Sequence, residues 1–193
     1  MRSLAPVGVA VLVGFAFGCG AGAPPSEMVV TPAEYDAQAM TETPLEDGAS
    51  IDLVRPPQGG FVLFVGALVK NLEEKTVVID GQLADASGAL VSEDKRTVTM
   101  MASASDPTLF QPDLRSYTGV ANIAVCPSTS PTDRYNLPFQ LTLVVTEPGS
   151  GRTGTGKITV TPSCRQTDPT ELALCQCECA GNYSLGKCGS GTP

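Results

Sequence analysis

The residues best able to do chemistry in this sequence are its cysteines. The seven positions are Cys19, Cys126, Cys164, Cys175, Cys177, Cys179 and Cys188. The last four form a C-x-C-x-C-x8-C pattern near the carboxyl terminus. Four thiolates at one place could hold zinc, but zinc sites usually space their cysteines as C-x2-4-C. In an oxidising compartment such cysteines form disulfides instead, so the compartment decides between the two chemistries.

One cysteine lies in the amino-terminal region, and the other six can all pair with one another. Six cysteines allow 15 pairings, so spacing alone does not determine the connectivity. Of the three pairings inside the tail, two require a bridge across C-x-C, which closes a strained ring. We therefore favour the third, with the two remaining cysteines joined to each other. The predicted bridges are Cys175–Cys179, Cys177–Cys188 and Cys126–Cys164.

Acid–base and phosphate chemistry have little support in the sequence. There is no histidine, so a Ser–His or Cys–His hydrolase is excluded. Residues 151–157, GRTGTGK, match the start of a phosphate-binding loop, but Ile158 replaces the expected Ser or Thr. The β-branched run that follows predicts a strand rather than a helix, so we interpret the segment as a hairpin loop. No catalytic, cofactor-binding or metal-binding residue is predicted.

Composition narrows the class of partner. The 193 residues carry a formal net charge of −8, which argues against nucleic acid, because phosphate binding needs clustered Lys and Arg. Hydrophobic residues make up 42% of the chain, enough for one folded domain with a core. The 20 acidic residues leave a carboxylate-based glycosidase open as a less favoured enzyme hypothesis.

The amino terminus has the features of an export signal. Arg2 supplies a positive charge, and residues 4–17 form an uncharged apolar stretch. That stretch is shorter than the roughly 20 residues a membrane-spanning helix needs. Residues 1–18 are therefore predicted to be a signal peptide.

The segment Ala16-Phe17-Gly18 before Cys19 resembles the lipobox of bacterial lipoproteins. The resemblance implies that Cys19 carries a diacylglycerol and an acylated amine, which would anchor the chain to a membrane. Because Gly20 is not Asp, it further implies placement at the outer membrane. Two alternatives stay open at this point: cleavage after the A-x-A pattern of residues 21–23, giving a secreted protein, and an uncleaved anchor.

The next segment predicts a spacer. Residues 19–50 are rich in Pro and acidic side chains, with no Lys or Arg. Such a composition buries too little apolar surface to offset the entropy of ordering. We therefore expect a flexible tether between the lipid and a folded domain.

Residues 51–164 are predicted to form an all-β domain. Apolar and polar residues alternate from Phe139 to Thr146, as in a half-buried strand, whereas residues 61–69 are apolar throughout, as in a central strand. About seven such strands separated by turns suggest an antiparallel sandwich. The overall residue pattern of 66–100 resembles that of immunoglobulin-like and fibronectin-like domains, although the chain has no Trp. An open barrel is the alternative. Residues 165–193 are predicted to form a small disulfide-bonded tail.

These features predict a non-catalytic lipoprotein of the cell envelope. The chain resembles uncharacterised lipoproteins of deltaproteobacteria such as myxobacteria, which implies a compartment rather than an activity. Its expected partners are the membrane, through the lipid, and an unknown envelope protein or glycan. The alternative is a ligand-binding or adhesive module that uses two long loops, residues 103–116 and 127–136, at one end of the sandwich.

Overall fold

The fold is mostly β, with ten strands and one helix among the described residues. The computed structural model describes residues 26–115 and 119–188, so the signal-peptide prediction and Cys19 lie outside the described residues. The strands are β1 (Val29–Asp36), β2 (Thr41–Pro44), β3 (Ala49–Asp52), β4 (Phe61–Lys70), β5 (Thr76–Ala84), β6 (Leu90–Ala102), β7 (Leu109–Pro112), β8 (Ala121–Cys126), β9 (Phe139–Thr146) and β10 (Thr153–Ser163). The helix is α1 (Pro169–Glu178). In these described ranges no helix is both long and apolar enough to cross a membrane.

The strands follow one hydrogen-bonded path that folds into two layers. Its order is β2-β1-β4-β7-β6-β5-β9-β10-β3, with β8 paired to β4. One layer contains β2, β1, β4, β8 and β7, and the other contains β5, β9, β10 and β3. The long strand β6 belongs to both, since it pairs with β7 in the first layer and with β5 in the second. Apolar residues from both layers, such as Leu63 and Leu141, are fully buried in one shared core. Strand β4 is buried on both faces except at Lys70, which confirms the central strand predicted from its sequence.

The sheet is mixed, which corrects the antiparallel prediction. Strand β3 runs parallel to β10, with Ala49 opposite Val160 and Asp52 opposite Ser163. In the described ranges the other strand pairs are antiparallel, and the path ends at β2 and β3 without closing into a barrel. Alternation of side chains predicts which face is buried but not the direction of the neighbouring strand, so the sequence pattern could not show the parallel pair.

The predicted tether is wrong from Val29 onwards, because this part of the chain forms three strands of the fold. Strand β1 pairs with β4 from Val29 opposite Lys70 to Glu34 opposite Val65. Met28 and Val30 belong to the main core, and Ala33 is fully buried. The predicted boundary at residue 50 therefore falls inside β3. The composition did not predict this strand because Glu34 and Asp36, which lie on it, face a polar groove rather than the core.

Two glycines of β10 allow β1 to lie close against the opposite layer. A Cβ atom on Gly154 would come within 2.8 Å of Val30 Cγ2. A Cβ atom on Gly156 would lie 2.6 Å from the backbone oxygen of Val30 and 2.8 Å from Pro32 Cδ. Such distances are too short for any side chain larger than hydrogen, so glycine is required where the layers meet at this edge.

The tail is ordered by a helix that the sequence reading missed. Asp168 caps α1 by accepting hydrogen bonds from the backbone N–H groups of Thr170 and Glu171, and Pro169 occupies the first turn. Both features favour a helix start. Cys175 and Cys179 lie one turn apart and are fully buried against the main core. The helix therefore closes one end of the two-layered sheet.

The disulfides match one of the three predicted bridges. The described residues form Cys126–Cys179, Cys164–Cys175 and Cys177–Cys188. The predictions of Cys126–Cys164 and Cys175–Cys179 are therefore wrong, while Cys177–Cys188 is confirmed. The helix explains the difference, because it carries Cys175 and Cys179 to the ends of β10 and β8. Three disulfides are typical of a protein that folds in an oxidising, extracytoplasmic environment.

We expect Gly156→Ala to destabilise the protein by about 1–3 kcal/mol, because its methyl group must displace the β1 backbone. Urea unfolding measures the loss. Thr155→Val is the matched control, since Thr155 is exposed on the other face of β10 and the change keeps a β-branched side chain. A Gly156→Ala protein as stable as the wild type would show that β1 does not lie against β10.

We expect peptide mapping without reductant to recover the three observed bridges. Digestion after Glu178, Arg165 and Lys187 separates Cys177 from Cys179 and Cys164 from Cys175. A peptide with Cys179 should then be joined to one with Cys126. Replacing Cys126 and Cys179 by Ala should cost about 4 kcal/mol by the chain-entropy estimate, against about 3 kcal/mol for Cys177 and Cys188. A peptide joining Cys175 to Cys179 would contradict the observed connectivity.

Candidate functional site

The two loops predicted to form a ligand site lie at opposite ends of the fold. Strand β7 places the 103–116 loop beside the last residue of β4, since Leu109 is opposite Lys70. The 127–136 loop follows β8, whose Cys126 is opposite Phe61, the first residue of β4. The ten residues of β4 separate the two loops by about 30 Å at the usual rise per strand residue. The prediction that both loops line one site is therefore wrong.

A polar groove of about 600 Å³ lies instead at the end of the fold closed by α1. Four segments form its walls: the β1–β2 hairpin, residues 52–55 at the end of β3, residues 165–168 and the first turn of α1. We call this cavity the hairpin groove. None of its walls belongs to a loop that the sequence reading selected. Three of the four come from the predicted tether or tail.

Two carboxylates lie side by side on one wall of the hairpin groove. Glu34 of β1 accepts a hydrogen bond from the backbone N–H of Asp52, with 2.8 Å between Oε1 and N. Burial and the charge of Asp52 raise the pKa of Glu34, against the lowering effects of that hydrogen bond and of Arg165. The arrangement fixes β3 to β1 where no backbone hydrogen bonds join them.

Two arginines balance part of the negative charge. Arg165 NH1 lies 3.0 Å from Asp52 Oδ1, and Arg55 NH1 lies 2.7 Å from Glu171 Oε1. Arg165 thus compensates the buried Asp52 Oδ1, whereas none of the described residues donates a hydrogen bond to the buried Gln166 Oε1, whose amide nitrogen donates to the Leu53 carbonyl. Buried acceptors without donors are unfavourable unless something completes them. The hairpin groove therefore presents exposed charges of both signs.

The geometry of the acids differs from that of a glycosidase. Hydrolysis of a glycosidic bond needs two carboxyl groups on either side of the scissile bond. Glu34 and Asp52 share one wall and are linked through the backbone of Asp52, so they do not face each other across the groove. Glu34 and Asp52 are therefore placed for binding through hydrogen bonds and charge.

Metal ligation has one geometric candidate among the described residues, and its sulfur atoms are already bonded. The Sγ atoms of Cys164, Cys175 and Cys179 lie within 4.8 Å of one another. Each belongs to a disulfide, so none is a thiolate that could bind zinc. The cluster shows instead that two bridges meet beneath α1.

A smaller cavity of about 270 Å³ uses part of the predicted 127–136 loop. Its walls are the β5–β6 turn at residues 85–87 and two stretches, 132–134 and 137–139. The Asp85 carboxylate accepts hydrogen bonds from within its own turn, which lower its pKa together with the charge of Arg134. The Asp85 carboxylate therefore stabilises the turn.

The phosphate-loop-like segment forms the predicted hairpin. Thr153 is opposite Thr146, so residues 147–152 connect β9 to β10 as a turn. Within it Glu147 is fully buried and accepts hydrogen bonds from the backbone N–H groups of Glu73 and Glu74. Burial alone would raise its pKa, but these hydrogen bonds, Ser150 and Arg152 lower it. Glu147 thus joins two loops, and both of its carboxylate oxygens are already hydrogen-bonded.

A second buried acid, Glu42 of β2, has the opposite environment. Both of its carboxylate oxygens are buried, and neither has a hydrogen-bond partner among the described residues. Burial raises its pKa to about 8. It lies on the face of the β1–β2 hairpin that points away from the groove. No motif surrounds Glu42, and only the fold shows that an acid in a polar four-residue strand is buried.

Comparison with known proteins gives no relative from which to transfer a role. A scan against protein families finds none that matches this chain, and a search of curated proteins finds no similar sequence. The site must therefore be interpreted from its own geometry, and the hairpin groove is the strongest candidate.

Proposed function

We propose that this protein is a non-catalytic interaction module of the bacterial cell envelope, anchored to a membrane by lipid on Cys19. The hairpin groove is its binding surface for an envelope protein or glycan. The observation that carries the proposal is the groove itself, which combines exposed charges of both signs with the polar side chains of Gln38, Thr41 and Thr43. Hydroxyl-rich glycans and polar protein segments both carry hydrogen-bond donors and acceptors that such a surface can bind.

The position of the groove supports this role. Nine residues, 20–28, would separate the lipid from the start of β1, a span of at most about 30 Å when fully extended. Val29 is opposite Lys70, at the end of the fold away from α1, whereas the groove lies at the α1 end. A lipid on Cys19 would therefore direct the groove away from the membrane and towards the compartment where partners are found.

The strand order supports an immunoglobulin-like arrangement. One layer joins β4 to β8, and the other runs β10–β9–β5–β6, which is the order of strands B and E and of strands G, F, C and C′ in immunoglobulin domains. The chain departs from antibody domains in having no Trp and in placing its disulfides at α1. The proposal extends to placement at the outer membrane, on the basis of Gly20 and the lipobox resemblance.

It also extends to a lipoprotein of the deltaproteobacterial type, on the basis of the overall resemblance of the sequence to such proteins.

Cys19 should carry the lipid. Cells that express the full chain in the presence of labelled palmitate should produce a labelled protein, and Cys19→Ala should abolish the label. Cys177→Ala is the matched control, since it removes a cysteine far from the amino terminus. Equal labelling of the Cys19→Ala protein would refute the anchor while leaving the groove proposal in place.

The groove should be the surface that contacts a partner in cells. A photoreactive benzoylphenylalanine at Gln38 or Thr167, both exposed at the groove, should give a discrete crosslinked product. The same group at Thr155, exposed on β10, is the control and should give none. Digestion with lysozyme or with a protease distinguishes a glycan partner from a protein. Products of equal yield from all three positions, or no product from the groove positions, would contradict the proposal.

A further inference from the structure

Strand β2 is a weakly held edge that forms one wall of the hairpin groove. It has four residues and pairs with β1 alone, from Thr41 opposite Asp36 to Pro44 opposite Ala33. Pro44 has no N–H to donate, and the next backbone bond runs from Leu45 N to Pro32 O at 2.9 Å. Short edge strands with so few hydrogen bonds lie at the low-stability end of a fold. A single side chain on β2 can therefore decide whether the strand stays in place.

That side chain is Glu42, which reaches across β1 to the surface of β4. Its Oε1 lies only 1.5 Å from the point where a Cβ atom on Gly66 would be, so the carboxyl group occupies the space left by that glycine. By register, Ala33 and Gly66 are opposite each other on this face, and Tyr35 is opposite Glu42. The side chain thus lies in a slot formed by small residues beside the Tyr35 and Phe64 rings, which are 6.3 Å apart.

No charged group of the described residues compensates a carboxylate in this slot. On β1, Glu34 and Asp36 point to the opposite face, and the Tyr35 hydroxyl donates to the Leu114 carbonyl at 2.9 Å. On β4 the charged residue is Lys70, which is at the far end and lies 3.9 Å from Asp106. In the neighbouring loop, Asp113 and Arg115 form an ion pair with each other. A negative charge on Glu42 would be buried alone.

We propose that Glu42 is a proton-operated latch that holds the β1–β2 hairpin closed when neutral and releases β2 when charged. A neutral carboxyl group can stay in the apolar slot, whereas a carboxylate gains hydration only by leaving it. Because β2 carries Thr41 and Thr43 on the groove face, release would remove a wall of the hairpin groove. The latch would thus regulate binding there, a consequence that rests on the proposed function.

The direction of the pH dependence follows from the pKa of Glu42. Burial raises this pKa from 4.5 to about 8 in the closed hairpin, while the released side chain returns to the ordinary value. The closed hairpin therefore binds more protons than the open one, and the stabilisation that Glu42 gives the closed hairpin is complete below pH 4.5. Its advantage falls as the pH rises towards 8, by about tenfold in the opening equilibrium for each pH unit.

Hydrogen exchange of the ligand-free full chain tests the latch. We expect the amides of residues 41–45 to lose protection by roughly 100-fold between pH 5.5 and 7.5, after correction for intrinsic exchange rates. Amides of β9 in the same sample serve as the reference and should keep their protection. In Glu42→Gln, which is neutral at every pH, the change in residues 41–45 should disappear. In Glu46→Gln, which alters an exposed acid of the next turn, it should persist.

A carbon-13 titration of the Glu42 carboxyl group in the wild-type protein gives an independent decision, even if Glu42→Gln folds poorly. A midpoint well above 6 supports the latch, and a midpoint between 4 and 5 overturns it. Retention of the full pH effect in Glu42→Gln would overturn it as well. Neither measurement contains a ligand, so failure here leaves the groove proposal intact, while failed crosslinking from the groove leaves the latch intact.

Discussion

The close contact between β1 and β10 at two glycines is the constraint on which the rest of the architecture depends. Gly154 and Gly156 let the backbone of β1 approach the opposite layer closely enough to bury Met28 and Val30 in the common core. Once β1 is fixed there, it supplies the edge on which β2 forms. It also directs Glu34 to the backbone of Asp52, which holds β3 in position. The hairpin groove exists because these three strands are fixed together.

The carboxyl-terminal helix completes the groove from the other side. Two disulfides attach α1 to the ends of β8 and β10, so residues 165–168 must cross the end of the sheet before the helix begins. That crossing brings Arg165 beside Asp52 and allows Arg55 to pair with Glu171. Segments more than 100 residues apart in sequence thus form one surface. The disulfides thus help to position one side of the groove.

Two buried glutamates show how the same side chain acquires opposite properties. Glu147 has backbone N–H donors, Ser150 and Arg152 around it, so its charge joins two loops and its pKa falls. Glu42 has none of these partners, so burial alone acts on it and its pKa rises. The charged Glu147 thus holds two loops together at one end of the domain, while Glu42 at the other end is the proposed pH-dependent latch.

Short-range patterns in the sequence determined the strands whose faces differ in polarity, such as β9, the fully apolar β4, and the hairpin at residues 147–152. They also indicated that the carboxyl-terminal cysteines form disulfides rather than a zinc site, but not which cysteines pair. Tertiary structure decided the rest. Val29–Asp36 carries acids because one of its faces lines a groove, which no local pattern reveals. The partners of Cys126 and Cys164 depend on where α1 docks, and the parallel pairing of β3 with β10 depends on the path of the chain. Each of these is set by contacts between distant segments, where burial is a property of the assembled layers rather than of the residues themselves.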